Sequence, residues 1–268
     1  MWEAQSGAQL GTLSGHTDMV YSVTFNAEGL LASGGRGGQI RLWQIGDRGE
    51  GTRCSCTLHG HRGWIWSMVS GPGGLLASGS DDGIVKLWLL SRGGEGAKCL
   101  RTLRGSARLV NSVAFSPDGG ILVSGERNGT IVLWETQHGQ CLHTLTRKTG
   151  GAFAVAAVAF DPDGRRFATS SPETEITIWE VKSGQCLSTL HGHQGEIWSL
   201  AFSPDGQLLA SGGSDGVVKL WETESGCCSC TLQGSPKAQY ISLKKQACYV
   251  TSRVEASFPP PLTVFSVK

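Results

Sequence analysis

Tryptophan recurs in this chain at a near-constant interval, and that interval is the strongest constraint on how it folds. Trp2, Trp43, Trp88, Trp134, Trp179 and Trp221 are spaced 41, 45, 46, 45 and 42 residues apart. Five of them close the same apolar phrase: Ile40-Arg41-Leu42-Trp43, Val85-Lys86-Leu87-Trp88, Val132-Leu133-Trp134, Thr177-Ile178-Trp179 and Val218-Lys219-Leu220-Trp221. Phe265 lies 44 residues past Trp221 and ends Leu262-Thr263-Val264-Phe265, which reads as the same phrase with Phe in place of Trp. A fixed period of this length is the mark of one supersecondary unit repeated, here six times.

Within a unit the order is constant. Glu196 to Phe202 is apolar-rich and alternating, which predicts a strand. Ser203-Pro204-Asp205-Gly206 is a turn, because Pro presets φ and Gly supplies positive φ. Leu208 to Gly212 predicts a second strand, Ser214-Asp215-Gly216 a tight hairpin, Val217 to Trp221 a third strand and Cys228 to Leu232 a fourth, outer one. These turns explain why 39 of the 268 residues are Gly, roughly double the usual share. No segment has a sustained helical period. A four-stranded unit of this size cannot bury both faces alone, so it stacks against its copies, and the radial solution is a β-propeller.

The Gly-His dipeptides (15–16, 60–61, 192–193), the Phe-Ser-Pro-Asp-Gly turns (115–119, 202–206), the Leu-Ala-Ser-Gly strands and the closing Trp together resemble WD40 repeats, over essentially the whole chain. The family's Trp-Asp stands here as Trp-Glu (134–135, 179–180, 221–222) or Trp-Gln (43–44). The resemblance implies an all-β propeller and an architecture without a reaction of its own.

The two ends set the expected topology. Trp2-Glu3-Ala4-Gln5-Ser6-Gly7 matches Trp221-Glu222-Thr223-Glu224-Ser225-Gly226, so the chain begins at the exit of a third strand and residues 9–13 are expected as an outer strand. Residues 238–243, 247–251 and 262–267 are expected to supply three strands of a degenerate last repeat, 233–268. The N-terminal strand would complete that blade, closing six blades into one domain over residues 1–268 and removing exposed sheet edges. A piece of a longer array is the alternative.

Two units carry a complete polar set of the kind this family uses: His61, Ser78, Asp82 and Trp88, and His193, Ser211, Asp215 and Trp221. Unit one has His16, Ser33 and Trp43 but Gly37 at the Asp position, and unit three has Ser106 and Asn128 for His and Asp. A hydrolase triad is one site rather than a per-repeat feature, so these sets are read as pinning buried polar groups. Cys54, Cys99, Cys141, Cys186 and Cys228 each precede an outer-strand Leu by four residues. Equivalent positions on five blades cannot converge on one metal, and Cys227-Cys228-x-Cys230 lacks a partner pair at zinc spacing. Structural packing is the expectation for the cysteines, and no metal or cofactor is expected.

Partner-binding candidates come from register. Three and five residues after the Gly-His histidine sit Met19 and Tyr21, Trp64 and Trp66, Glu196 and Trp198. Just before the hairpin Asp position come Arg36, Asp81, Arg127, Pro172 and Ser214. The resemblance implies that these loops share one face round a central channel, which makes Tyr21, Arg36, Trp64, Trp66, Asp81, Arg127 and Trp198 a candidate rim for a peptide or protein.

Net charge +1 argues against bulk-electrostatic nucleic-acid binding. The chain has no apolar run long enough for a membrane span and no N-terminal leader pattern, and its many thiols fit a reducing compartment, cytoplasm or nucleus. The reading is a non-enzymatic, signalling-type interaction scaffold, monomeric or part of a larger complex. Runners-up are a sensor propeller of a larger signalling ATPase and a substrate receptor of a cullin-type ubiquitin ligase, the latter on the partial match Trp179-Glu180-Val181-Lys182.

Overall fold

A computed structural model describes residues 1–3, 6–46, 51–106, 108–146, 155–171 and 174–233, together with the backbone of 242–243 and 264–265. The fold is all-β, with five four-stranded sheets. Sheet one holds β1 (Val20–Phe25), β2 (Leu31–Gly35), β3 (Ile40–Gln44) and β4 (Arg53–Leu58). Sheet two holds β5 (Ile65–Ser70), β6 (Leu75–Ser80), β7 (Ile84–Leu90) and β8 (Ala97–Arg104). Sheet three holds β9 (Val110–Phe115), β10 (Ile121–Glu126), β11 (Thr130–Glu135) and β12 (Cys141–Thr146). Sheet four holds β13 (Val158–Phe160), β14 (Arg166–Ser170), β15 (Glu175–Glu180) and β16 (Cys186–His191). Sheet five holds β17 (Ile197–Phe202), β18 (Leu208–Gly213), β19 (Val217–Glu222) and β20 (Cys228–Gln233). Each is an antiparallel meander, as the order of the repeat requires, and five such sheets fit the blades of a β-propeller. The chain divides into two compact units, residues 1–124 with 134–141 and residues 125–133 with 142–268.

In the first unit the inner strands of neighbouring sheets are stitched together. The Met68 amide donates to Ser22 Oγ at 2.9 Å, and the Val113 amide to Ser67 Oγ at 3.2 Å. Glycine allows the close approach: a Cβ on Gly79 of β6 would stand 2.6 Å from Val110 Cγ1 of β9. The core between sheets one and two is Leu30, Ala32, Ile40, Leu42, Leu58, Ile65, Met68, Leu76, Trp88 and Leu90. The second unit repeats the arrangement, with Ala168, Ile176 and Ile178 of sheet four packed with Ile197, Leu200, Leu209 and Trp221 of sheet five.

The N-terminus departs from expectation. The turn after Trp2 is the expected one: the Gly7 amide donates to Glu3 O at 2.9 Å, as Gly139 does to Glu135, Gly184 to Glu180 and Gly226 to Glu222. All four glycines have φ near +70°, a conformation open to residues without a Cβ. Residues 9–13, however, form no strand beyond a single bridge between Gln9 and Trp2. Trp2 is 68% exposed, whereas Trp43, Trp88, Trp134, Trp179 and Trp221 are buried. Those five lie against the second strands of their own sheets.

The last repeat is described only in part. β21 (Ser242–Leu243) and β22 (Val264–Phe265) pair in parallel, whereas the expected order inserts an antiparallel strand at 247–251, which lies outside the described residues. β21 runs beside β17 and β18, the relation that β17 has to β13 and β14.

Candidate functional site

The two complete polar sets assemble as relays. In sheet two the Trp88 indole N–H donates to Ser78 Oγ at 2.9 Å, Ser78 Oγ lies 2.7 Å from His61 Nε2, and His61 Nδ1 lies 3.0 Å from Asp82 Oδ2. In sheet five Trp221, Ser211, His193 and Asp215 repeat the chain at 2.8, 2.7 and 2.7 Å. An ionised Asp only accepts, so Nδ1 carries a proton, and in the neutral imidazole Nε2 accepts a hydrogen bond from the Ser hydroxyl. Ser78 and Ser211 are fully buried and already accept from an indole, so neither oxygen is open to a substrate carbonyl. The arrangement pins the hairpin to the loop before the first strand. It has triad residue types without a reachable nucleophile.

Each Asp also holds backbone. Asp82 accepts from the amides of Arg62 (2.9 Å) and Ile84 (3.1 Å), and Asp215 from those of Gln194 (3.0 Å) and Val217 (3.3 Å). Burial pushes the Asp82 carboxyl upward, but the His61 hydrogen bond, the Arg62 amide and the His61 charge outweigh it and hold the group down at about 2. Asp215 is lowered in the same balance, burial opposing the Gln194 amide and His193. The other sheets hold fragments of the set. His16 meets Ser33 at 2.7 Å, and Trp43 donates to the same Ser33. With Gly37 at the Asp position, burial and then the charge of Arg41 depress the His16 pKa, against the Ser33 hydrogen bond. Trp134 donates to Ser124 at 2.9 Å, and Trp179 to Thr169 at 2.8 Å.

Four of the seven rim candidates form one cluster in the first unit. Tyr21 stacks on Trp66 with centroids 4.7 Å and planes 9° apart. Trp64 tilts against both, 6.0 Å from Tyr21 and 5.7 Å from Trp66. The Arg36 guanidinium carbon stands 4.9 Å from the Trp64 ring centroid. A β-bulge aims two of these rings, Tyr21 and Trp66, while Trp64 stands just before β5. The β1–β2 register passes from Val20↔Gly35 to Ser22↔Gly34 and leaves Tyr21 over. The β5–β6 register passes from Ile65↔Ser80 to Ser67↔Gly79 and leaves Trp66 over. The β17–β18 register skips Trp198 in the same way. A bulge frees its extra residue from the pleat and re-aims the side chain. Gly35 makes room for the first of them, since a Cβ there would meet Met19 O at 1.9 Å. Alternation alone did not reveal these bulges; a glycine facing the first strand residue (Gly35, Gly213) was the available signal.

The other three candidates lie elsewhere. The Asp81 amide donates to Trp64 O at 3.0 Å, but its Oδ1 is buried and sits where a Cβ on Gly63 would be, within 1.7 Å. That oxygen faces the loop and not solvent. Arg127, exposed on the β10–β11 hairpin, and Trp198, whose indole N–H donates to Glu196 at 3.2 Å, belong to the second unit. Pro172 lies outside the described residues.

The cysteines correct an expectation. Cys99, Cys141, Cys186, Cys227 and Cys228 are exposed and Cys54, Cys56 and Cys230 half-buried, so most of them coat outer strands, while Cys56 packs against the core of sheets one and two. Their register still shows: Cys54, Cys99, Cys186 and Cys228 Sγ each lie 3.6–4.0 Å from the Thr Oγ1 three residues on. Among the described residues no group of three His, Cys, Asp or Glu side chains is placed to hold a metal ion.

The family model described as WD domain, G-beta repeat, matches five stretches, residues 7–44, 52–88, 97–135, 139–180 and 184–222. From the second stretch onward each begins with the outer strand of one sheet and continues into three strands of the next. No curated protein matches the chain.

Proposed function

The chain belongs to the WD40-repeat family, and from that premise we propose that it is a non-enzymatic scaffold that docks a protein or peptide on the rim carrying Tyr21, Arg36, Trp64 and Trp66. WD40 repeats generally mediate protein–protein interactions. The observation that carries the reading is the bulge-presented cluster itself. Three large aromatic rings and an arginine gather at strand ends, partly exposed, and such residues dominate binding hot spots.

The proposed frame for this rim is one domain over residues 1–268, six blades closed by residues 9–13 as the outer strand of the last. Three observations support it. The first family match starts at residue 7, which gives residues 9–13 the phase of an outer strand. β21 runs where the first strand of a sixth sheet belongs. Phe25 at the end of β1 is 55% exposed, whereas Phe115, its register mate, is 2% exposed and packs over Gly71 of the preceding sheet, so the leading face of sheet one has room for a neighbour.

The test is affinity capture with the full chain beside an Arg36→Ala/Trp66→Ala variant that still unfolds cooperatively and is folded at the capture temperature. Partners held by the wild type and lost by the variant support the rim. Equal capture by both overturns it.

A further inference from the structure

Arg36 is the cation of the cluster, and among the described residues it has no counter-ion. Some long basic side chains are engaged, Arg166 with Asp161 at 2.6 Å, Lys86 with Thr102 at 3.1 Å and Lys219 with Thr231 at 2.9 Å; what sets Arg36 apart is its place against an aromatic cluster. The exposed Arg36 guanidinium has its Trp64 contact and, among the described residues, no hydrogen bond or salt bridge. Of the carboxylates on the flanking loops, Asp18 accepts from the Thr17 hydroxyl at 3.4 Å, and Asp81 Oδ1 is buried without a hydrogen-bond partner, tucked against the Gly63 backbone; among the described residues neither forms a salt bridge with Arg36. A guanidinium resting on a ring keeps its in-plane N–H fork free, and that fork matches a carboxylate. The stack has already ordered a long side chain that would otherwise lose rotamer freedom on binding. Beside it lies apolar surface, with Met19 64% exposed and its Sδ 3.8 Å from the Tyr21 hydroxyl.

We propose that this rim binds an acidic peptide segment, an Asp or Glu carboxylate on Arg36 with an adjoining apolar side chain against Trp64 and Met19. The proposal rests on the docking reading above and adds the chemistry of the partner. Charge complementarity selects it: the cluster offers one unpaired positive fork bordered by rings, and a basic or purely apolar segment would leave that fork desolvated and unmatched.

The experiment is selection of displayed random peptides on the full chain, followed by binding of synthetic copies. Enriched peptides are expected to carry Asp or Glu next to Leu, Ile or Phe. Arg36→Ala, or amidation of the peptide's acid to Asn or Gln, should each weaken binding about tenfold, roughly 1.4 kcal/mol, and the two losses should not add. Peptides that lose binding on Trp66→Ala yet show no acidic enrichment and ignore Arg36→Ala would overturn the acidic class and leave rim docking standing. Peptides indifferent to both substitutions would overturn both. A phosphoserine copy binding ten times more tightly than the Asp or Glu peptide, again read against the tenfold scale, would overturn the commitment to a carboxylate.

Discussion

Tyr21 lies flat on Trp66, ring centroids 4.7 Å apart, although 45 residues separate them in the chain. Both are the extra residue of a β-bulge on the first strand of adjacent sheets. The stack therefore bridges two repeats at their ends, where the Ser22–Met68 bond bridges them in the middle. Removing one ring should be felt in local order more than in the core. Tyr21→Ala is expected to cost about 0.5–1.5 kcal/mol beyond its lost area, and Trp66→Phe to abolish most of the Trp64–Trp66 coupling seen by circular dichroism. An unchanged aromatic signal in Trp66→Phe would show that the rings do not couple in solution.

Much of this was legible because the repeat reports each residue type several times over. The His–Ser–Asp–Trp relays follow from the phrase Leu-Ala-Ser-Gly-x-Asp-Asp/Ser-Asp set against Gly-His at fixed distance, so their geometry needs only the register. The bulges were not legible, because an inserted residue alters pairing without altering the pattern of apolar residues. Asp81 differs from Asp82 by one position, and only the backbone decides that one faces His61 and the other faces Gly63. The exposure of the outer-strand cysteines was hidden for a different reason. Cysteine is common in cores, and sequence register says which strand a residue occupies but not whether anything covers that strand.

Asp82 makes a pH prediction with a definite sign. Its folded pKa of about 2 lies below the ordinary 3.8, so the unfolded chain binds the proton first as pH falls. The stabilisation is present above 3.8 and is lost as pH falls through about 2. Asp82→Asn should cost about 1–3 kcal/mol at neutral pH, the range for a buried charged acceptor lost. Urea unfolding of both proteins should show that gap narrowing below pH 3.8. A gap independent of pH would assign the loss to packing.

Gly79 tests the stacking of sheets two and three. A Cβ there would stand 2.6 Å from Val110 Cγ1 and 3.2 Å from Val113 Cγ1, with both valines buried. Gly79→Ala forces β9 outward or the valines off their rotamers, at about 1–3 kcal/mol. Thermal unfolding reads this directly. Gly29→Ala, which meets nothing within 4 Å but has φ +80°, is the control for strain without crowding and should cost less.

Native thiol reactivity should follow exposure. Cys99, Cys186 and Cys228 are exposed and Cys54 and Cys56 half-buried, so a thiol reagent should label the first three quickly and the other two more slowly. Peptide mapping after brief labelling separates the sites. Uniform labelling would mean that the outer strands open faster than the reagent reacts.

Gly37 allows the missing member of the first relay to be installed. Its backbone φ is not in the left-handed region, and a Cβ would meet nothing closer than Asp18 Oδ2 at 3.8 Å. In sheets two and five the corresponding Asp faces His Nδ1 at 3.0 and 2.7 Å, whereas His16 bonds Ser33 through Nε2 and, among the described residues, has no carboxylate at Nδ1. Gly37→Asp should give that ring a carboxylate partner and fix the hairpin, adding about 1.5–2 kcal/mol, the lower part of the range for a hydrogen bond to a charged group, and about 0.4–1 kcal/mol more from the stiffer unfolded chain. In the wild type the His16 pKa lies below 6.5, so its contribution is present above 6.5 and lost as pH falls. With a neighbouring carboxylate the charged form is favoured, the pKa rises from its depressed value, and less stability is lost on acidification. Imidazole titration by NMR and a melting curve decide it together. A raised pKa with a higher melting temperature means the relay has formed, and a raised pKa with a lower one means that repulsion from Asp18 outweighs the new bond.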